Sequence, residues 1–114
     1  MQYIVDARCS RGLGDPQVIR QFVQDVVQAT GLNLRQFIIE EFPNGSDYGA
    51  GISALALISE SHIAIHTIPQ NGLLQFDVFS CKPFVPQVID KLIVKHFGCL
   101  EVSGFHLRHL VLGR

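Results

Sequence analysis

GISALALISESHIAIHTIPQNGLLQFDVFS, residues 51–80, is the stretch that decides the fold. It divides into three extended runs, Gly51–Ile58, His62–Ile68 and Leu73–Ser80. The first is small and aliphatic. In the second, Ile63 and Ile65 alternate with Ala64, the period-two pattern of a strand with one buried face. Pro69-Gln70-Asn71-Gly72 has turn chemistry: proline fixes φ, and Asn and Gly tolerate the backbone angles of a reversal. Short breaks between successive extended runs make them antiparallel neighbours, so residues 51–80 are expected to form a meander.

Outward from the meander the pattern changes to helical. Asp15 is placed to cap a helix that begins at Pro16, and Val18, Ile19, Phe22, Val23, Val26 and Val27 recur on one face. Gly31 stands just past the end, where a left-handed residue closes a helix. A second helix is expected from Pro83–Pro86 onward. Val85, Val88, Ile89, Leu92, Ile93, His96 and Phe97 share its face, and Gly98 stops it. Gln2–Val5, Leu34–Phe42 and Leu100–Leu112 read as the remaining strands, with a breaker-rich cluster at Pro43–Gly49. Two one-faced helices beside about six mostly antiparallel strands predict an α+β two-layer sandwich, both helices on one face of the sheet.

The whole chain, residues 1–114, is read as one domain. At this length roughly two-thirds of the unfolded chain's surface leaves water on folding, enough for a core without staples. The hydrophobic fraction is 47% and the charged fraction only 17%, lean for a free-standing domain, which points to a homodimer that hides apolar surface. Net charge is -1 and no basic run occurs, which argues against nucleic acid as a partner. Nothing resembles a signal peptide, and no run of about 18 apolar residues is present to span a membrane. Cys9, Cys81 and Cys99, an odd set, read as reduced thiols in a cytosolic protein.

The chemistry concentrates in Glu60-Ser61-His62 and His66-Thr67. His62 and His66 are four apart, a metal-ligand spacing on a helix. On a strand it leaves them more than about 10 Å apart, and recruiting Cys81, His106 and His109 would require tertiary coincidence. No metal is expected, and the plainer reading is hydrogen-bonded histidines on a sheet. A Ser-His-Asp hydrolase fits poorly, because Ser61 lies between Glu60 and His62 instead of in a glycine-flanked elbow.

Glu60-Ser61-His62, His66-Thr67 and Asp77-Val78-Phe79-Ser80-Cys81 together resemble the prokaryotic S-adenosylmethionine decarboxylase family, in length, element order and motif spacing. The resemblance implies a proenzyme that breaks its own Glu60–Ser61 bond by serinolysis. The new chain would then start with a pyruvoyl cofactor derived from Ser61. It implies that Glu60 ends the N-terminal fragment, that His66 takes the α-proton of Ser61, and that Ser53 steadies the tetrahedral intermediate. Cys81 would return a proton to the substrate carbon after carbon dioxide leaves. A ketone carbonyl accepts the electrons released on decarboxylation, as pyridoxal phosphate would. The product of such an enzyme feeds polyamine synthesis. Read alone, Ser53 is an ordinary strand serine and Cys81 a small buried residue; Cys9 and Cys99 keep a structural reading.

The pattern departs from the family where the nucleoside would bind. Ile68-Pro69-Gln70 replaces Trp-Pro-Glu, so Gln70 stands where the resemblance implies a ribose-binding glutamate. The place of the adenine-stacking aromatic falls on Asp47, with Tyr48 or Phe42 as substitutes. Lys82 follows Cys81 where glycine is usual. An acidic Asp47 suits a cationic amine, so two alternatives stand beside S-adenosylmethionine. One is a pyruvoyl decarboxylase of arginine or ornithine, and the other is a relative that never cleaves and is not an enzyme.

Overall fold

The computed structural model describes residues 1–46 and 49–107. Its elements are β1 (Gln2–Cys9), α1 (Pro16–Thr30), β2 (Leu34–Ser46), β3 (Gly49–Ile58) and β4 (Ser61–Ile68). After a single-turn helix at Pro69–Asn71 come β5 (Leu73–Ser80), α2 (Pro86–Phe97) and β6 (Cys99–Leu107). The six strands form one sheet in the order β2-β3-β4-β5-β1-β6, and every neighbouring pair is antiparallel. The α+β two-layer sandwich is therefore the observed fold, with the expected meander as β3-β4-β5.

Alternation builds the layers. Ile63, Ile65 and Thr67 of β4 are buried, as are Ile52, Ala54, Ala56 and Ile58 of β3, and Leu74, Phe76 and Val78 of β5. They meet Ile19, Phe22, Val23 and Val26 of α1 and Ile89, Ile93 and Phe97 of α2. Phe22 is the keystone, edge-on to Phe76 at 5.7 Å and to Phe97 at 5.2 Å between ring centroids. Such aromatic pairs add about 0.5–1.5 kcal/mol each beyond the area they bury. Tyr3 ties α2 down by donating to Asp90 Oδ1 at 2.7 Å. Burial, and then the Asp90 carboxylate, push its phenol well above the usual value.

The local signals of α1 hold. Asp15 Oδ1 accepts from the Gln17 N–H at 2.9 Å, and Gly31 closes the helix at φ 72°. The second helix begins at Pro86, at the far end of the expected Pro83–Pro86 range, because a residue before proline is driven out of helical angles; Val85 sits at φ -96°, ψ 108°. Strand β1 outruns its expected end at Val5, since Ala7 and Cys9 continue the buried alternation. Strand β2 carries Pro43 through to Ser46, which an edge strand tolerates because one side needs no N–H.

One expectation is corrected. Cys9 and Cys99 are joined by a disulfide, leaving Cys81 as the free thiol. Their positions are far apart in sequence, and only the β1–β6 ladder, which sets them opposite one another, makes the pairing visible.

The sheet face away from the helices is open. Register puts Ile38 of β2 across from Leu55 of β3, and Leu55 across from Ala64 of β4. Ile38, Leu55 and Leu57 on this face are 61%, 42% and 47% exposed, a contiguous apolar patch with no cover from the described residues.

Candidate active site

The Glu60–Ser61 bond lies at the reversal from β3 to β4. Asn33, just before β2, holds this corner: its N–H donates to Glu60 Oε1 at 3.0 Å and its Nδ2 to Oε2 at 2.8 Å. The Asn33 backbone N–H is the chief reason the Glu60 carboxyl is held below its usual value. Ser59 N–H donates in turn to the Asn33 carbonyl at 2.8 Å. These contacts fix the N-terminal side of the Glu60–Ser61 bond.

The carbonyl oxygen of Glu60 accepts the backbone N–H of Cys81 at 3.1 Å. That N–H therefore points at the oxygen on which negative charge develops when a nucleophile adds to the carbonyl carbon. Ser61, the residue across the bond, pairs with Ser80 and has φ 156°, the one positive φ outside glycine among the described residues. Such angles store about 1–3 kcal/mol in an L-residue. Ser80 is buried, and its hydroxyl accepts from the Lys82 N–H and donates to the Lys82 carbonyl, which sets the bend that presents Cys81. Lys82 Nζ reaches back to the Gly31 carbonyl at 2.8 Å.

Ser61 Oγ lies 3.4 Å from His62 Nδ1. The other ring nitrogen of His62 is 3.2 Å from Asp77 Oδ2, and Phe79 stacks on the ring at 5.9 Å. Gln2 Nε2 donates to Asp77 Oδ1 at 2.8 Å.

Ser53 and His66 form a separate pair. They face one another across β3 and β4, on the open face, with Ser53 Oγ 2.8 Å from His66 Nδ1. Gly51 shows how tightly these strands approach: a Cβ there would run into the Thr67 carbonyl oxygen. Gln70 is exposed in the turn beyond β4, at this same end of the strand.

The structure thus groups Glu60, Ser61 and Cys81, and it sets Ser53, His66 and Gln70 apart from them. Ser61 and His66 are five residues apart on one strand, roughly 16 Å by strand rise. Within one chain, His66 is thus too far from Ser61 to take its α-proton, the role the resemblance implies for it. Asp47 and Tyr48 lie outside the described residues, as does His109. Among the described residues no three of His, Cys, Asp and Glu are grouped to hold a metal, and no helix is long and apolar enough to cross a membrane.

The family model described as S-adenosylmethionine decarboxylase matches residues 1–109. The chain belongs to the S-adenosylmethionine decarboxylase family. It is 36% identical over 78 residues to the S-adenosylmethionine decarboxylase proenzyme of Thermomicrobium roseum, covering 68% of this chain and 64% of that protein. To the proenzyme of Archaeoglobus fulgidus it is 35% identical over 66 residues, 57% of this chain and 54% of that one. The matched stretch thus spans less than two-thirds of these relatives' own length. The adenosylmethionine decarboxylase of Aquifex aeolicus VF5 shares the fold at a TM-score of 0.79, with 20% identity, over 99% of this chain and 92% of that one.

Within this S-adenosylmethionine decarboxylase fold, two residues escaped sequence reasoning. His62 was read only as a hydrogen-bonded sheet histidine, and Asp77 only as part of a matching string. Both occupy the open face, and pairing of Ala64 with Asp77 makes His62 a diagonal neighbour of that carboxylate. The register of β4 on β5 is the signal that finds them.

Proposed function

We propose that the chain is the precursor of a pyruvoyl-dependent decarboxylase of S-adenosylmethionine, made when the Glu60–Ser61 bond breaks itself. The observation that carries this reading is the Cys81 N–H on the Glu60 carbonyl oxygen at 3.1 Å, beside a Ser61 in unfavourable backbone geometry. Ser61 Oγ adds to the Glu60 carbonyl carbon, the Cys81 N–H stabilises the oxyanion, and the C–N bond gives way to an ester. Loss of the Ser61 α-proton then eliminates the Glu60 carboxylate and leaves dehydroalanine, whose imine tautomer takes up water and releases ammonia to give the pyruvoyl group. A pyruvoyl group at Ser61 supplies an electron sink for the carboxylate carbon–carbon bond of an amino acid substrate. Cys81 follows Ser80, the β5 partner of Ser61, and its thiol is exposed. There it serves as the proton donor to the substrate carbon.

His66 is assigned the α-proton, with Ser53 as its hydrogen-bonded partner. No side chain spans roughly 16 Å, so these residues act on the Ser61 of a second copy. A homodimer with the open sheet faces together meets this need. A two-fold axis crossing β4 near Ala64, midway between Ser61 and His66, lays the strand ends over one another. Stacked sheets sit about 10 Å apart, within reach of side chains from both. Ile38, Leu55 and Leu57 would be buried in the process. Gln70 would come with the partner's His66, on the side where a nucleoside extends from the reacting carbon.

Replacing a charged hydrogen bond to the ribose by the neutral one of the Gln70 amide costs roughly 1–1.5 kcal/mol, about 5-fold to 13-fold in affinity. The cleaved protein should therefore release carbon dioxide from S-adenosylmethionine slowly, and Gln70→Glu should lower KM. Release from arginine or ornithine alone would replace the substrate assignment.

A further inference from the structure

We propose that His62 is the general base that activates Ser61 for its attack on Glu60, with Asp77 holding the imidazole in the working orientation. The proposal rests on the reading that the Glu60–Ser61 bond cleaves itself, and it assigns the first proton of that reaction. His66, roughly 16 Å along β4, cannot take it within the same chain.

The geometry is a line of three groups. Asp77 Oδ2 lies 3.2 Å from His62 Nε2, and a carboxylate only accepts, so the proton on that ring sits on Nε2. The lone pair of Nδ1 then faces Ser61 Oγ, 3.4 Å away. That contact is long in the resting chain and shortens as the hydroxyl proton is drawn across. Two restraints keep the imidazole in place. Phe79 stacks on its face, with 17° between the rings, and Gln2 Nε2 holds the far oxygen of Asp77 at 2.8 Å. Side-chain exposures of 37% for His62 and 30% for Asp77 leave the pair half-sheltered on the open face, reachable by small solutes. Across the bond, Cys81 N–H holds the carbonyl oxygen at 3.1 Å. Base, nucleophile and oxyanion donor thus come from one chain.

The step balances. The Ser61 O–H proton passes to His62 Nδ1 as Oγ forms a bond to the Glu60 carbonyl carbon. As the C–N bond breaks, the imidazolium returns that proton to the departing Ser61 nitrogen. The products are an ester and a free amine, and His62 is regenerated neutral. His66 is needed only afterward, for the elimination. The two histidines therefore fail at different points.

Cleavage of wild type, His62→Ala, His62→Gln, Asp77→Asn and His66→Ala is followed on reducing denaturing gels, with and without hydroxylamine, which cuts esters. His62→Ala should cleave at least about 100-fold more slowly than wild type and build up no hydroxylamine-sensitive ester. His66→Ala should build up that ester. Imidazole added to His62→Ala should restore cleavage, a readout that a role in packing alone would not move. Asp77→Asn should slow the reaction without changing the stage at which it stops. His62→Ala cleaving at the wild-type rate would overturn the proposal, as would a hydroxylamine-sensitive ester in that variant. So would a folded His62→Ala, judged by its circular dichroism, that imidazole does not rescue. Wild type that never cleaves would sink the underlying self-processing reading and this base with it; wild type that cleaves beside an equally active His62→Ala sinks the base alone.

Discussion

Glu60 is gripped twice by Asn33, and its carboxyl is held below the ordinary value of 4.5, the Asn33 backbone N–H being the largest cause. Folding therefore favours the carboxylate. The contribution is whole above the unfolded value and is lost as pH falls through the lowered folded one. In the non-cleaving Ser61→Ala background, the melting temperature should drop on acidification below about pH 4.5, and Glu60→Gln should flatten part of that slope. Equal slopes would detach the corner from this carboxylate. Ser61, Glu60 and Cys81 were legible as a string because their chemistry depends on order along the chain. His62 and Asp77 were not, because their contact depends on how β4 slides against β5, and a shift of one residue would send the carboxylate to the opposite face.

At the scale of elements, α1 was the most readable part of the sequence. Its cap, its first-turn proline, its one-faced periodicity and its terminal glycine all act within a few residues. Asp15→Ala in the Ser61→Ala background should cost about 1 kcal/mol in urea denaturation, with an unchanged m-value. A loss near zero would mean that packing of Phe22 and Val26 alone holds the helix. Helix α2 starts at Pro86, the last residue of the Pro83–Pro86 range the sequence offers, because Val85 continues the apolar pattern while Pro86 forbids it a helical backbone. The disulfide between β1 and β6 was hidden for a different reason. Spacing cannot reveal a pairing that exists only once two distant strands lie side by side.

For the whole molecule, the open sheet face and the divided site make one account. Composition already pointed to hidden apolar surface, and the fold locates it at Ile38, Leu55 and Leu57. Mixing Ser61→Ala with His66→Ala should restore cleavage of the His66→Ala chains, because a mixed dimer of the proposed kind would hold one complete site. Failure of a mixture that exchanges subunits would place His66 outside the reaction. Self-cleavage itself is tested most directly by the intact mass of purified wild-type protein beside Ser61→Ala. Reduction must come first, since the Cys9–Cys99 bond joins residues 1–60 to residues 61–114 after the cut. The account predicts two wild-type fragments, the second carrying a pyruvoyl group in place of Ser61, and a single full-length mass for Ser61→Ala. Wild-type protein that stays at its full-length mass of 12.7 kDa after long incubation would contradict it.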